Sequence, residues 1–202
     1  MDNQDKKRLQ IVDAATKRFT HFGMAKTTMA EIAKDLSISK ASLYYYFPDK
    51  MHLVMAVTEK LVSSIFDALN QKIFKLQTLE ESIYFLLELK LKFTIDHYNL
   101  LEMILGTFSE TPPELEELAR KSHQEEINII SKLLQQADQR GEIKASDPDE
   151  LAEIFSNAMT GMRFSVLKDG RRIILPSKSK FDEMVKKQKK LAKLIIKGLK
   201  QA

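Results

Sequence analysis

Apolar residues recur at three- and four-residue steps along almost the whole chain, and a two-residue alternation persists nowhere. Helical spacing on that scale predicts an all-α protein. Ala30, Ile32, Ala33 and Leu36 form a short stripe, and Leu43 and Phe47, four apart, form another. Leu53, Val54, Val57, Leu61, Ile65 and Leu69 then mark a long helix, which Asp49 is placed to cap. From Leu79 to about residue 106 the chain is apolar on nearly every side, with Ile83, Leu86, Leu87, Leu89 and Phe93 among its residues. A helix of that kind belongs at the centre of a bundle. Thr111-Pro-Pro-Glu breaks it and starts a new helix, striped by Ile127, Ile130, Leu133, Leu134 and Ala137 and ending near Gly141. Pro148 opens another, with Leu151, Ile154, Phe155, Ala158, Met159, Met162 and Val166 on one side and a stop at Asp169-Gly170.

Polar punctuation is densest between residues 28 and 47. Thr28 and Glu31 have capping-box spacing, so a helix starts there. Ser37 and Ser39 flank Ile38 and compete for backbone hydrogen bonds, which favours a turn followed by a second helix capped by Ser39. Leu43 and Phe47 supply that helix's inner face, while Lys40, Ala41, Ser42, Tyr44, Tyr45 and Tyr46 point elsewhere. Any one of these tyrosines can half-bury as an ordinary amphipathic residue. All three cannot, because three consecutive helical positions span about 200°. Two short helices joined by a tight turn, the second presenting Lys, Ser and Tyr outward, form the layout of a helix-turn-helix and point to DNA binding.

Charge refines this. The 202 residues carry a formal net charge of +4, but it is partitioned. Residues 1–50 hold nine basic against six acidic side chains (+3), residues 51–162 ten against 19 (−9), and residues 163–202 thirteen against three (+10). The acidic middle argues against nucleic acid wrapping the whole molecule. The basic end is a helix over about 180–202, in which Phe181, Met184, Val185, Leu191, Ala192, Ile195 and Leu199 share one side and Lys186, Lys190, Lys193, Lys197 and Lys200 another. With no Trp in the chain and no flanking anchor, the lysine side reads as a solvated face and not as a membrane-surface one. With the helix opened by Pro148 it makes an αα-hairpin. Zero Cys excludes a disulfide framework and a thiolate metal site. The N-terminus lacks an apolar run, and no stretch approaches the ~20 residues of a membrane span, so a cytoplasmic location is expected.

The run Ile38-Ser-Lys-Ala-Ser-Leu-Tyr-Tyr-Tyr-Phe-Pro-Asp-Lys50, with Ile11-Val-Asp-Ala-Ala-Thr-Lys-Arg-Phe-Thr-His-Phe-Gly23 and Thr27-Thr-Met-Ala-Glu-Ile-Ala upstream, resembles the signature of the TetR family of bacterial transcriptional regulators. The resemblance covers about the first 60 residues. Three positions depart from the family's usual residues: Ser37 and Ala41 each stand in place of a Gly, and Tyr46 in place of a His. The resemblance implies a three-helix DNA-binding head over residues 4–64, with its helix-turn-helix at about 27–46, and a C-terminal bundle over 65–202 for effector binding and dimerisation. Two copies would pair through residues about 148–168 and 180–200, forming a four-helix bundle and presenting two heads to a palindromic operator.

Roles follow position by position. Thr27 and Thr28, at a helix start, are expected to hold phosphate. Lys40, Ala41, Ser42 and Tyr45 face base edges, and Tyr44, Tyr46 and Lys50 fix the backbone register. Effector-site candidates are polar or soft residues in apolar surroundings: Phe66, His97, Tyr98, Met103, Phe108, His123, Met159 and Met162. The same residues also suit an ordinary core. The expected effector is small and apolar, and release from DNA would follow from a change in the spacing of the two heads. A homodimeric repressor is the expected function; a nucleoid or cell-division organiser of the same fold, acting through protein contacts, is the alternative. No phosphate loop, nucleophile elbow or His-Glu-x-x-His occurs, and the four His show no metal-ligand spacing, so no enzyme, cofactor or metal site is expected. Glu116-Glu117 and Glu125-Glu126 diverge around their helix and are read as solvated.

Overall fold

The computed structural model describes residues 3–100, 112–167 and 177–201. Its helices are α1 (Asn3–Lys26), α2 (Met29–Asp35), α3 (Lys40–Tyr46), α4 (Lys50–Lys72), α5 (Leu79–Asp96), α6 (Pro113–Gln139), α7 (Pro148–Leu167) and α8 (Lys178–Gln201), with a 3-10 turn at Ile73–Lys75. Residues 98–100 are also helical, and the described residues contain no strand. The fold is all-α. No described helix is long and apolar enough to cross a membrane. Met103, Phe108 and the Thr111 break lie outside the described residues, as do Lys168, Gly170 and Pro176 between α7 and α8.

The chain forms two compact units, Met1–Ser64 with Thr94–Leu118, and Ile65–Phe93 with Ala119–Ala202. The first unit therefore takes in a segment that a simple division after residue 64 assigns elsewhere. Asn99 explains part of its placement, since its side-chain amide donates to the carbonyls of Thr20 and His21 at 3.0 and 3.2 Å. His97 Nδ1 lies 3.2 Å from Thr20 Oγ1. These contacts meet α1 where it breaks: Gly23 sits at φ 78°, ψ 163°, a region open essentially to glycine alone.

Two local rules recur in both units. The Thr28–Glu31 capping box forms as expected, Glu31 N–H donating to Thr28 Oγ1 at 3.3 Å and Thr28 N–H to the Glu31 carboxylate at 2.8 Å. Thr78 and Glu81 build the same box at the start of α5. Helices α2 and α6 also end alike. Ile38 N–H bonds Ala33 O at 3.0 Å and Ser37 N–H bonds Lys34 O at 3.0 Å; Glu142 N–H bonds Ala137 O at 2.9 Å and Gly141 N–H bonds Asp138 O at 2.8 Å. Both are Schellman stops, and their left-handed residues are Ser37 at φ 51° and Gly141 at φ 70°.

Apolar stripes fill the two cores. Ile11, Ala15 and Phe19 of α1, Ile32 of α2, Leu43 of α3 and Leu53 of α4 are buried in the first unit. In the second, Ile83, Leu86 and Leu87 of α5, Ile130 and Leu133 of α6, and Phe155 of α7 belong to one cluster with Ala192 and Ile196 of α8.

Candidate nucleic-acid interface

Helix α3 is held from beneath and open above. Ser39 caps it by accepting from Ser42 N–H at 3.0 Å, while Leu43 and Phe47 anchor its inner face at 0% and 2% exposure. The opposite face carries Lys40 and Ala41, both exposed, with Tyr44 at 47% and Tyr45 at 72% exposure. Burying the Tyr45 ring on contact would remove a large apolar surface from water, so its free exposure marks it as a contact-ready group. The ring does not hang loose. Gln4 Nε2 of α1 donates to its hydroxyl at 3.0 Å, and the half-buried Tyr46 meets it edge-on at 5.3 Å.

Beside α3 lies an open depression of about 400 Å³, lined by Thr28, Met29, Ala30, Lys40, Tyr44 and Lys50 together with Ala25, Thr27 and Asp49. The first turn of α2 enters it, and Met29 and Ala30 occupy positions whose N–H groups have no partner within the helix. Two lysines, a phenol and a helix start in one concavity suit an anionic oxygen. Acidic neighbours are tied up by local bonds that keep them ionised. The Thr28 hydroxyl first, then the Thr28 backbone and Arg18, keep the Glu31 carboxyl below its ordinary value. The hydrogen bond from Arg18 does the same for Asp35, and the His52 backbone N–H for Asp49, which caps α4 as the sequence predicts. Arg18 also reaches across from α1, with Nη2 2.8 Å from Asp35 Oδ1 and Nη1 3.5 Å from Glu31.

The structure brings Thr28, Lys40, Tyr44 and Lys50 together and sets Ala41 and Tyr45 along the outer face of α3. Thr27 is a correction. It is wholly buried, its hydroxyl donates to Gly23 O at 2.9 Å and its N–H to Met24 O at 3.3 Å, so it fastens the turn between α1 and α2 and offers nothing to a phosphate. Ser42 is half-buried. Sequence reasoning missed Gln4 and Arg8, four apart on α1, which meet α3 through the Tyr45 hydroxyl and through the Arg8 guanidinium 5.0 Å from the Phe47 ring. Nothing in the sequence singles them out, since residues 3–8 are all polar.

The effector-site candidates do not gather in one unit. His97 and Tyr98 lie in the first, and Phe66, His123, Met159 and Met162 in the second. Met159 is part of the second core and Phe66 packs against it, as their apolar character alone would give. Another reading fails here: Glu126 is not solvated. Its side chain is 12% exposed and ion-paired with Lys90 of α5.

Residues 11–57 match the family model described as bacterial regulatory proteins, tetR family. The crystal structure of a transcriptional regulator from Cytophaga hutchinsonii superposes with a TM-score of 0.86, at 30% identity, over 96% of this chain and 98% of that one. The biofilm operon icaADBC HTH-type negative transcriptional regulator IcaR of Staphylococcus aureus is 34% identical over 106 residues, covering 52% of this chain and 55% of its own. A putative transcriptional regulator from Saccharomonospora viridis, solved in complex with choline, shares the fold at 19% identity with a TM-score of 0.70, over 94% of this chain and 96% of that one. The chain belongs to the TetR family, whose members are DNA-binding transcriptional regulators and not enzymes.

Proposed function

We propose that the protein is a homodimeric repressor that reads a palindromic operator through α3 and is released by a small effector with a hydrocarbon body. The observation that carries the DNA-reading half is the outer face of α3. Lys40, Ala41, Tyr44 and Tyr45 stand exposed on a helix whose opposite side is fixed by Leu43 and Phe47, next to a depression with Lys50 and the start of α2. Lys40 is long enough to reach guanine, the Ala41 methyl suits a thymine methyl, and Tyr44 and Lys50 suit phosphate. Tyr45 takes the bases, with Ser42 beside it, and Tyr46 braces it or meets the backbone.

Residues 4–64 act as the DNA-binding part and 65–202 as the effector-binding and dimerisation part. Support for the dimer comes from α7 and α8, which pack together yet leave Ile154 56% and Leu194 60% exposed. Large apolar side chains on the two helices of one hairpin fit a second copy of the same hairpin. A DNA partner puts the working protein in the cytoplasm.

The test is retardation of the DNA upstream of its own gene. Wild-type protein shifts that fragment, and Tyr45→Ala, folded and dimeric by sedimentation, weakens it by at least tenfold. Lys40→Ala flattens the dependence of binding on salt, as loss of a phosphate or base contact by a cation requires. Equal binding by Tyr45→Ala and wild type would overturn the assignment of α3.

A further inference from the structure

The second unit contains a knot of charge that its fold does not need. Lys90 comes from α5, His123 and Glu126 from α6, and Ser156 and Arg163 from α7. Glu126 is paired with Lys90 and accepts from the buried Ser156 hydroxyl at 3.4 Å; that hydroxyl also lies 3.5 Å from His123 Nδ1. Burial pushes the Glu126 carboxyl up, but Lys90 above all, then Arg163 and His123, outweigh it and hold the group ionised. Arg163 is partly buried and its guanidinium lies 5.4 Å over the Phe164 ring. Its Nε is buried with no hydrogen-bond partner, and Glu126 is the only carboxylate among the described residues whose charge acts on it.

A guanidinium always keeps its proton at working pH, and with Lys90 it sets two basic side chains against one carboxylate. Taking a charge out of water costs several kcal/mol unless hydrogen bonds replace the lost shell. Cores seldom retain such a group unless it is paired, since an apolar residue of similar volume serves the fold as well or better. The surroundings are apolar: Phe155 and Met159 flank Ser156 on α7, and both belong to the core with Leu86 and Leu87 of α5. An arginine fork in an apolar setting matches a carboxylate bidentately.

We propose that the second unit takes an amphiphilic anion, a carboxylate on a hydrocarbon body, with Arg163 receiving the carboxylate and Lys90, His123 and Ser156 completing a positive, hydrogen-bonding rim around it. This rests on the reading that the second unit binds an effector and adds the charge of that effector. A cation is disfavoured by the same two-to-one balance, which sets this chain apart from the fold relative that holds choline.

Full-length protein is titrated by calorimetry with octanoate, 1-octanol and octyltrimethylammonium, which share one chain length and differ in the head group. Octanoate binds saturably, one per chain and at least tenfold tighter than octanol, and octyltrimethylammonium gives no saturable heat. Arg163→Met weakens octanoate at least tenfold, leaves octanol unchanged and unfolds at the same or a higher temperature than wild type. The proposal is overturned if octanol matches octanoate on the wild-type protein, if none of the three saturates, or if folded Arg163→Met keeps wild-type affinity for octanoate. The ranking of head groups on the wild type decides the matter even if the variant fails to fold. Retardation of operator DNA separates the two readings: octanoate that binds without releasing DNA overturns ligand-controlled repression and leaves the anion site standing. DNA released by octanol as readily as by octanoate overturns the anion site and leaves repression standing.

Discussion

The two units stop a helix with the same four-centre turn, yet one places Ser37 and the other Gly141 at the left-handed position. Glycine reaches that conformation without a Cβ clash, whereas serine meets a cost of about 1 kcal/mol. The difference shows which interactions each unit relies on. In the helix-turn-helix of the first, neighbouring residues carry the structure: Thr28 with Glu31, Ser39 with Ser42, Asp49 with His52. A strained Ser37 is tolerated because so many local bonds agree on the same turn. In the second, the decisive contacts join residues far apart. Glu126 needs Lys90, 36 positions away, and the Glu142 carboxylate accepts from Leu79 N–H at 3.0 Å across 63 positions.

The largest effect expected from this contrast is in the second unit. Glu126→Ala strands Lys90 and Arg163 and should destabilise the protein by about 3–5 kcal/mol in urea unfolding. Glu126→Met with Lys90→Met recovers most of that loss; no recovery would mean that the ion pair itself, and not the stranding of its partner, sets the cost. The same carboxyl predicts a pH dependence. Its folded pKa lies below the ordinary 4.5, so its contribution is complete above about pH 4.5 and is lost as pH falls through the folded value. In the Glu126→Met, Lys90→Met variant that part of the acid profile disappears.

Next comes Leu43→Ala in the first unit, at about 2–5 kcal/mol, because a wholly buried side chain under the recognition face leaves a cavity. DNA retardation should fail with it, which Glu126→Ala should not cause directly at temperatures where the protein stays folded. Thr28→Ala removes one cap and costs about 1 kcal/mol by thermal unfolding. The smallest effects test the comparison itself. Ser37→Gly should stabilise by about 0.5–1 kcal/mol and Gly141→Ser should destabilise by about as much. If both substitutions are neutral, the two stops are not stereochemically equivalent and the contrast fails.

The same division governs what the sequence discloses. Caps and turns are written within four residues, so the helix-turn-helix was legible from Thr28, Glu31, Ser37 and Ser39 down to its N-cap. Thr78 and Glu81 spell the same pattern at the start of a segment whose apolar stripe dominates its sequence. Thr27 was misjudged because a threonine before a cap looks alike whether its hydroxyl faces solvent or, as here, Gly23 O. Lys90, Glu126 and Arg163 could not have been assembled at all: each sits on a different helix, and only the packing of three helices brings them together. Glu126 beside Glu125 even suggested the opposite, a solvated pair. Gln4 is intermediate, local in character but informative only once α1 and α3 are seen to touch.

Asn99 has a further consequence for the order of events at the ribosome. The carbonyls of Thr20 and His21, at the end of α1 before its break, receive their side-chain donor from a residue 79 and 78 positions later. A chain that has emerged only as far as residue 64 can form its turn and caps but lacks the donor that closes α1. The first unit of this protein is thus finished late in synthesis, after the chain has already passed through the whole of α5.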